Sequence, residues 1–81
     1  DQDIDNINDS FDLILANINL NILLKYCQQL FSLTKPGGCL LLSGVMISDK
    51  ENIIRAYEAG GFVIRAVNQL REWVAVDCYR P

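Results

Sequence analysis

Histidine is absent from the chain, which removes His-based triads, imidazole proton shuttles and histidine metal sites from consideration. Cysteine is sparse: Cys27, Cys39 and Cys78 are odd in number and widely spaced, with no C-x-x-C pair. That pattern is neither a zinc ribbon nor a disulfide framework. It reads as three small hydrophobes in a reducing compartment, so a cytoplasmic location is expected. Positive charge is also in short supply, with 7 Lys+Arg against 10 Asp+Glu and a net charge of −3. With no basic patch to neutralise phosphates, no nucleic-acid partner is expected. No apolar run approaches the ~20 residues needed to span a bilayer. The acidic, polar start also lacks the pattern of a signal peptide, so no membrane partner is expected either.

What is present is mostly apolar. The hydrophobic class makes up 51% of the 81 residues, too much for a disordered segment. The length allows one small domain or a piece of a larger one, and its core will be thin.

Residues 1–10 (DQDIDNINDS) have no sustained hydrophobic period and read as a loop or frayed arm. Their D-x-D-x-D opening lacks the glycine and the distal glutamate of an EF-hand loop, so no metal site is assigned. From Phe11 to Ile18 (FDLILANI) the chain is apolar at both parities, as in a strand inside a parallel sheet. Leu20, Leu23, Leu24, Cys27, Leu30 and Phe31 then recur at three- and four-residue steps, predicting one amphipathic helix. Lys35-Pro36-Gly37-Gly38 stops it. A second doubly apolar run follows, Cys39 to Val45, with Ser43-Gly44 read as the strand's end, where it could line a cleft, or equally as a tight turn. Ser48 and Glu51 have capping-box spacing. They predict a short helix that buries Ile53, Ala56 and Tyr57 and ends at Gly60-Gly61. Phe62–Asn68 and Glu72–Tyr79 read as two strands joined by a tight reversal around Leu70 and Arg71.

The resulting order is strand, helix, strand, helix, strand, strand. This predicts an open α/β sheet with parallel strands, a final antiparallel hairpin, and both helices on one face. The other face would expose on the order of 300 Å². Self-association, strand exchange or marginal stability is therefore expected of the chain alone.

These residues resemble a known family. F-D-L-I-L-A-N-I-N, a helix, then L-x-K-P-G-G-C-L-L-L-S-G are similar to the second half of a class I S-adenosylmethionine-dependent methyltransferase domain, a Rossmann-like fold. A-N-I-N-x-N-I-L-L, S-G and the late run R-E-W-V-A-V are most like the ribosomal-protein methyltransferases of the PrmA type. The resemblance covers about Phe11 to Arg80. It implies that the intact enzyme methylates lysine side chains and an N-terminal amine of a large-subunit ribosomal protein, with S-adenosylmethionine as cofactor. The family's glycine-rich loop and its ribose-binding acidic residue are not found here, since no G-x-G-x-G occurs in the sequence. The chain reads as the C-terminal half of a methyltransferase domain, residues 11–81, truncated at Asp1 and inactive alone.

The resemblance places Asn17 in the active site as the catalytic residue, with Ala16, Asn17 and Ile18 flanking the cofactor. A strand-to-helix junction suits a site, because ligands of open α/β sheets bind outside the carboxyl ends of the strands. A carboxamide oxygen there can accept a hydrogen bond from an amine and aim its lone pair. The competing reading of Asn17 is an Asx turn or helix N-cap, a role for which Asn19 and Asn21 also compete. Trp73 reads as edge-strand core, with a cleft wall as its alternative. Asp12 and Asp77 read as solvated strand ends. Two other functions stay open: another Rossmann-like enzyme half, such as a small-molecule or glutamine methyltransferase, and a non-enzymatic α/β association module. The glutamine-modifying relatives carry N-P-P-Y where this chain has N-I-N-L, which argues against them.

Overall fold

A computed structural model describes residues 12–81. The arm assigned to residues 1–10 lies outside the described residues, as does Phe11. Four strands form one mixed sheet: β1 (Leu13–Ala16), β2 (Cys39–Met46), β3 (Val63–Leu70) and β4 (Trp73–Tyr79), in the spatial order β1-β2-β4-β3. β1 and β2 run parallel, from Leu13 opposite Leu40 to Ala16 opposite Ser43. β4 is antiparallel to both of its neighbours. The first strand is shorter than its apolar run because Asn17 turns to φ +59°, a left-handed conformation that cannot continue a strand.

The hydrophobic period between the first two strands forms two helices rather than one, α1 (Leu20–Lys25) and α2 (Cys27–Leu33). They break at Tyr26, whose φ and ψ are −101° and 13°. No glycine or proline is there to cause it. Instead, the buried Tyr57 hydroxyl donates to the Leu23 carbonyl at 2.7 Å, the acceptor that the Cys27 N–H would use in an unbroken helix. A side chain inserted into the helical ladder is a known source of kinks. The apolar stripe survives the break, since Leu23 and Cys27 both remain buried. α2 ends at Leu33, just before the K-P-G-G run, and Arg80 completes the stop. Its Nη1 donates to the carbonyls of Phe31 and Thr34 at 2.8 Å each, satisfying groups that a helix end leaves open.

The second helix starts differently from the expected capping box. Ile47–Asp49 form a single 3₁₀ turn, and α3 (Lys50–Ala59) begins after it, with no side-chain cap from Asp49. Ser48 therefore caps nothing. Ser48 lies inside that turn rather than at the residue preceding the helix, and the Ile47 N–H, donating to the Glu72 carbonyl at 2.8 Å, ties the turn to the residue before β4. Glu51 instead pairs loosely with Arg55 on the exposed surface, 3.7 Å away.

The core lies on one side of the sheet. Leu40, Leu42, Val45, Val74, Val76 and Cys78 face Leu23, Cys27, Ile53, Tyr57 and Phe62. Burying each large aliphatic contributes about 1.5–3 kcal/mol. Ala56, expected in the same helix face, is only half-buried. Among the described residues no helix covers the opposite face, where Ile14, Leu41 and Asp77 lie in register. Part of that face is closed by Arg65, which bonds Asp77 at 3.1 Å and approaches Cys39 Sγ at 2.9 Å. Asp77 is thus an ion-pair partner rather than a solvated strand end. Asp12 is likewise engaged, its carboxylate accepting the Cys39 N–H at 2.9 Å.

Burial also fixes a pH dependence. It pushes the Cys78 thiol up to about 12 and raises Cys27 and Tyr57 above their ordinary values of 9.0 and 10.0. Above about pH 9 the unfolded chain releases these protons while the folded chain keeps them. The unfolded state then binds fewer protons, so stability falls as pH rises, by up to about 1.4 kcal/mol per pH unit for each group while the pH lies between its unfolded and folded pKa. Urea midpoints are expected to be unaffected by these groups below pH 9 and to decline steadily from there to about pH 12. A midpoint that stays flat over that range would contradict the burial of these groups.

Candidate active site

The carboxyl ends of the parallel strands β1 and β2 meet the start of β4 at one edge of the sheet, and Asn17 stands at that junction. Asparagine is one of the few residues with a side chain that tolerates the left-handed region. The Asn17 N–H donates to the Ser43 carbonyl at 2.9 Å, carrying the parallel ladder one residue past β1 and fixing the backbone from which the carboxamide projects. The N-cap of α1 is Asn19, whose side-chain oxygen accepts the Asn21 N–H at 2.7 Å. The competition among the three asparagines is therefore settled locally. Asn17 takes no part in the cap.

Its neighbour across the junction is Gly44. The pairing Leu42–Val76 and then Val45–Val74 leaves Ser43 and Gly44 together opposite Ala75, a β-bulge. Ser43-Gly44 is thus neither the end of β2 nor a tight turn, since the strand runs on to Met46, but both residues do line a cavity beside Asn17. Gly44 has φ +71°, and a Cβ built on it would collide with the Asn17 carboxamide oxygen and come within 2.9 Å of the Asn17 backbone nitrogen. The missing side chain is what lets Asn17 lie against β2.

Two cavities open on either side of this contact, and both are lined by Asn17, Gly44 and Trp73. The first, about 430 Å³, lies on the helix side, with Ile18, Leu23, Asp49 and Ile53 in its wall. The second, about 350 Å³, lies against the β3–β4 hairpin, with Ser43, Asn68, Gln69 and Leu70 in its wall. Asp49 is the sole ionisable side chain lining the first, and none lines the second, among the described residues. No cationic side chain is there to repel a positively charged ligand.

Trp73 differs from its reading as edge-strand core. β4 is an inner strand, and Trp73, at its first residue, is 44% exposed at the mouth of both cavities. Of the residues beside Asn17, Ile18 lines the helix-side cavity and packs on the core. Ala16 is exposed and lines neither cavity. Among the described residues, no cluster of three or more His, Cys, Asp or Glu is placed to hold a metal. None of the helices described is long and apolar enough to cross a membrane.

Comparison with known proteins adds a lineage to this geometry. A family model described as ribosomal protein L11 methyltransferase (PrmA) matches residues 1–81. The curated ribosomal protein L11 methyltransferase of Geobacillus kaustophilus is 35% identical over 78 residues, which cover 96% of this chain and 25% of that protein. The Bacillus subtilis protein of the same name is 33% identical over 73 residues, covering 90% of this chain and 24% of its own length. The chain thus spans about a quarter of the length of these relatives. Among solved structures, ribosomal protein L11 methylase from Lactobacillus delbrueckii subsp. bulgaricus superposes with a TM-score of 0.76 at 24% identity, covering 85% of this chain and 36% of the other. The M1.HpyAVI–SAM complex superposes with a TM-score of 0.68 at 19% identity, covering 98% and 49%. Both likenesses are of fold: a mixed α/β sheet with helices, as in methyltransferases.

Proposed function

The chain belongs to the ribosomal protein L11 methyltransferase (PrmA) family, and on that premise we propose that it builds the acceptor side of the active site of an S-adenosylmethionine-dependent protein methyltransferase. The acceptors are amino groups of ribosomal protein L11, a lysine side chain or the N-terminal amine. Residues 11–81 are then the C-terminal half of a Rossmann-like methyltransferase domain that works in the cytoplasm. One observation carries this reading: Asn17 is held left-handed at the carboxyl end of a parallel strand, seated against Gly44 and relieved of capping by Asn19.

The chemistry asks for a neutral amine aligned with the group it attacks. S-adenosylmethionine, when bound, supplies an electrophilic methyl group on a positively charged sulfur. Asn17 Oδ1 accepts a hydrogen bond from an N–H of the acceptor amine and points the nitrogen lone pair toward the donor. Alignment of this kind is worth up to about 7–11 kcal/mol of a barrier in favourable cases, so neither histidine nor metal is needed. Asn17 and Ile18 flank the donor, Ala16, which lines neither cavity, contributing backbone alone, and the absence of cationic side chains from both cavities suits its charge. No G-x-G-x-G occurs in these 81 residues, so the methionine end of the donor would be held by other parts of the enzyme. The chain alone is expected to be inactive.

The test is Asn17→Gly in a full-length enzyme carrying this segment. Glycine keeps the left-handed backbone and removes only the carboxamide, whereas alanine would add backbone strain. The rate of L11 methylation is expected to fall by about 10²-fold or more, with S-adenosylmethionine affinity changed only a few-fold. A wild-type rate in Asn17→Gly, or no methylation of L11 amines by the unmodified enzyme, overturns the proposal.

A further inference from the structure

We propose that Asn19 is a positioning residue for transfer: by holding the first turn of α1, it keeps the Asn17 carboxamide aimed at the reacting atoms. This rests on the reading of Asn17 given above and deepens it.

Asn17 is fixed by its backbone rather than by its side chain. Its N–H donates to the Ser43 carbonyl at 2.9 Å, but among the described residues no hydrogen bond engages the carboxamide itself. Asn17 shares a cavity wall with Leu20 and Asn21, the first two residues of α1. Amides of a first turn have no partner within the helix, and asparagine is among the residues most prone to bond them. An unheld carboxamide beside a helix start is open to capture as a cap, and its oxygen would then no longer face an amine.

Asn19 removes that competition. It has the extended backbone of an N-cap, with φ −59° and ψ 143°, and its side-chain oxygen accepts the Asn21 N–H at 2.7 Å. Its carbonyl accepts the Leu23 N–H at 3.0 Å, the bond that opens the helix. One residue thus supplies both the first helical acceptor and the cap.

α1 depends on this cap more than a long helix would. It has six residues, no acidic side chain in its first turn, and a break at Tyr26 immediately after it. Helices this short are marginal on their own, and a first turn without a carboxylate gains nothing from the helix dipole. Without the Asn19 side chain the Asn21 amide opens. Among the described residues, Asn17 is then the sole polar side chain left before the helix in that wall. Capture by the open amide and fraying of the turn have the same result: the carboxamide leaves its seat against Gly44.

The experiment is a double-mutant cycle between positions 17 and 19 in a full-length enzyme carrying this segment, read by L11 methylation. Asn19→Ala should lower kcat about tenfold, short of the loss on removing the Asn17 carboxamide outright. KM for L11 and the affinity for S-adenosylmethionine should stay within a few-fold of the unmodified enzyme. Asn19→Ser, which puts an acceptor back at the cap, should return most of the rate. In the Asn17→Gly background Asn19→Ala should lower the residual rate no further, since no carboxamide is left to aim. A cap that only stabilised the fold would act equally in both backgrounds. Asn19→Gly removes the side-chain acceptor at little cost to a helix start, so it should show the same fall in kcat and decides the matter if Asn19→Ala does not fold. Equal fold-losses in the two backgrounds, or an unchanged kcat in a folded Asn19→Ala or Asn19→Gly, overturn the role of Asn19. A wild-type rate in Asn17→Gly, or no amine methylation by the unmodified enzyme, overturns the underlying reading instead.

Discussion

Gly44→Ala is expected to be among the most damaging single-methyl additions in this chain, costing about 2–4 kcal/mol of stability and at least as much activity as removal of the Asn17 carboxamide. Two costs add at this position. The backbone holds φ +71°, which an L-residue with a Cβ adopts at a penalty of about 1–2 kcal/mol. The new methyl also meets the Asn17 backbone nitrogen at 2.9 Å as well as its carboxamide. The carboxamide can swing aside, but the nitrogen cannot, because it donates to the Ser43 carbonyl one residue away at 2.9 Å. Either the bulge straightens or the end of β1 moves off β2. Straightening would drive Val45 off the core face, since a one-residue shift of register turns each side chain over. Moving β1 displaces Asn17, and a displacement of about 1 Å costs roughly 10²-fold in a positioned reaction. Urea denaturation and L11 methylation rates in a full-length enzyme carrying this segment measure the two effects. Wild-type stability together with a wild-type rate in Gly44→Ala would show that the close approach of Gly44 and Asn17 has no consequence. Ser43→Ala serves as the neighbouring control, for it leaves the bulge and its glycine in place.

Much of the fold was legible because its signals are local and periodic. The apolar runs at both parities marked β1 and β2, and the three- and four-residue steps marked a helical face that the break at Tyr26 leaves intact. The break could not be read, because its cause is a hydroxyl on Tyr57, distant in sequence. The capping-box spacing misled because Ile47–Asp49 wind into a 3₁₀ turn, which puts Ser48 within the turn rather than at the start of the helix. The bulge at Ser43-Gly44 did have a signal in the sequence. Leu40, Leu42 and Val45 are all buried, so the inward step changes from two residues to three across a glycine, the spacing that an inserted residue requires. Asn17 stood out by type and by its place after a strand, but its left-handed backbone and its release from capping depend on Gly44 and Asn19 together. Trp73 was misjudged because β4, last in sequence, inserts between β2 and β3. Chain order places it at the edge. Sheet order places it beside the cavities.

Tyr57→Ala is expected to abolish folding of the isolated chain and to cost at least about 3–5 kcal/mol in any larger protein that carries it. The ring is fully buried, stacks on Phe62 at 5.6 Å, and its hydroxyl bonds the Leu23 carbonyl at 2.7 Å. Truncation removes the packing and leaves that carbonyl without its partner, which adds about 1–3 kcal/mol. A small domain has about 5–15 kcal/mol in total, and this one packs its core on a single face of the sheet. Tyr57→Phe separates the two contributions, since it keeps the ring and deletes only the hydroxyl. It should cost only about 0.5–1.5 kcal/mol. Because the hydroxyl is what opens the ladder at Tyr26, Tyr57→Phe should also let Cys27 bond Leu23 and straighten α1 into α2. That change reaches the site, because Leu23 lines the helix-side cavity and α1 begins three residues after Asn17. Amide hydrogen exchange at Cys27 reads it directly: protection should rise in Tyr57→Phe even as global stability falls. If protection at Cys27 falls along with global stability, the kink belongs to the helix itself, and Tyr57 merely fills the space beside it.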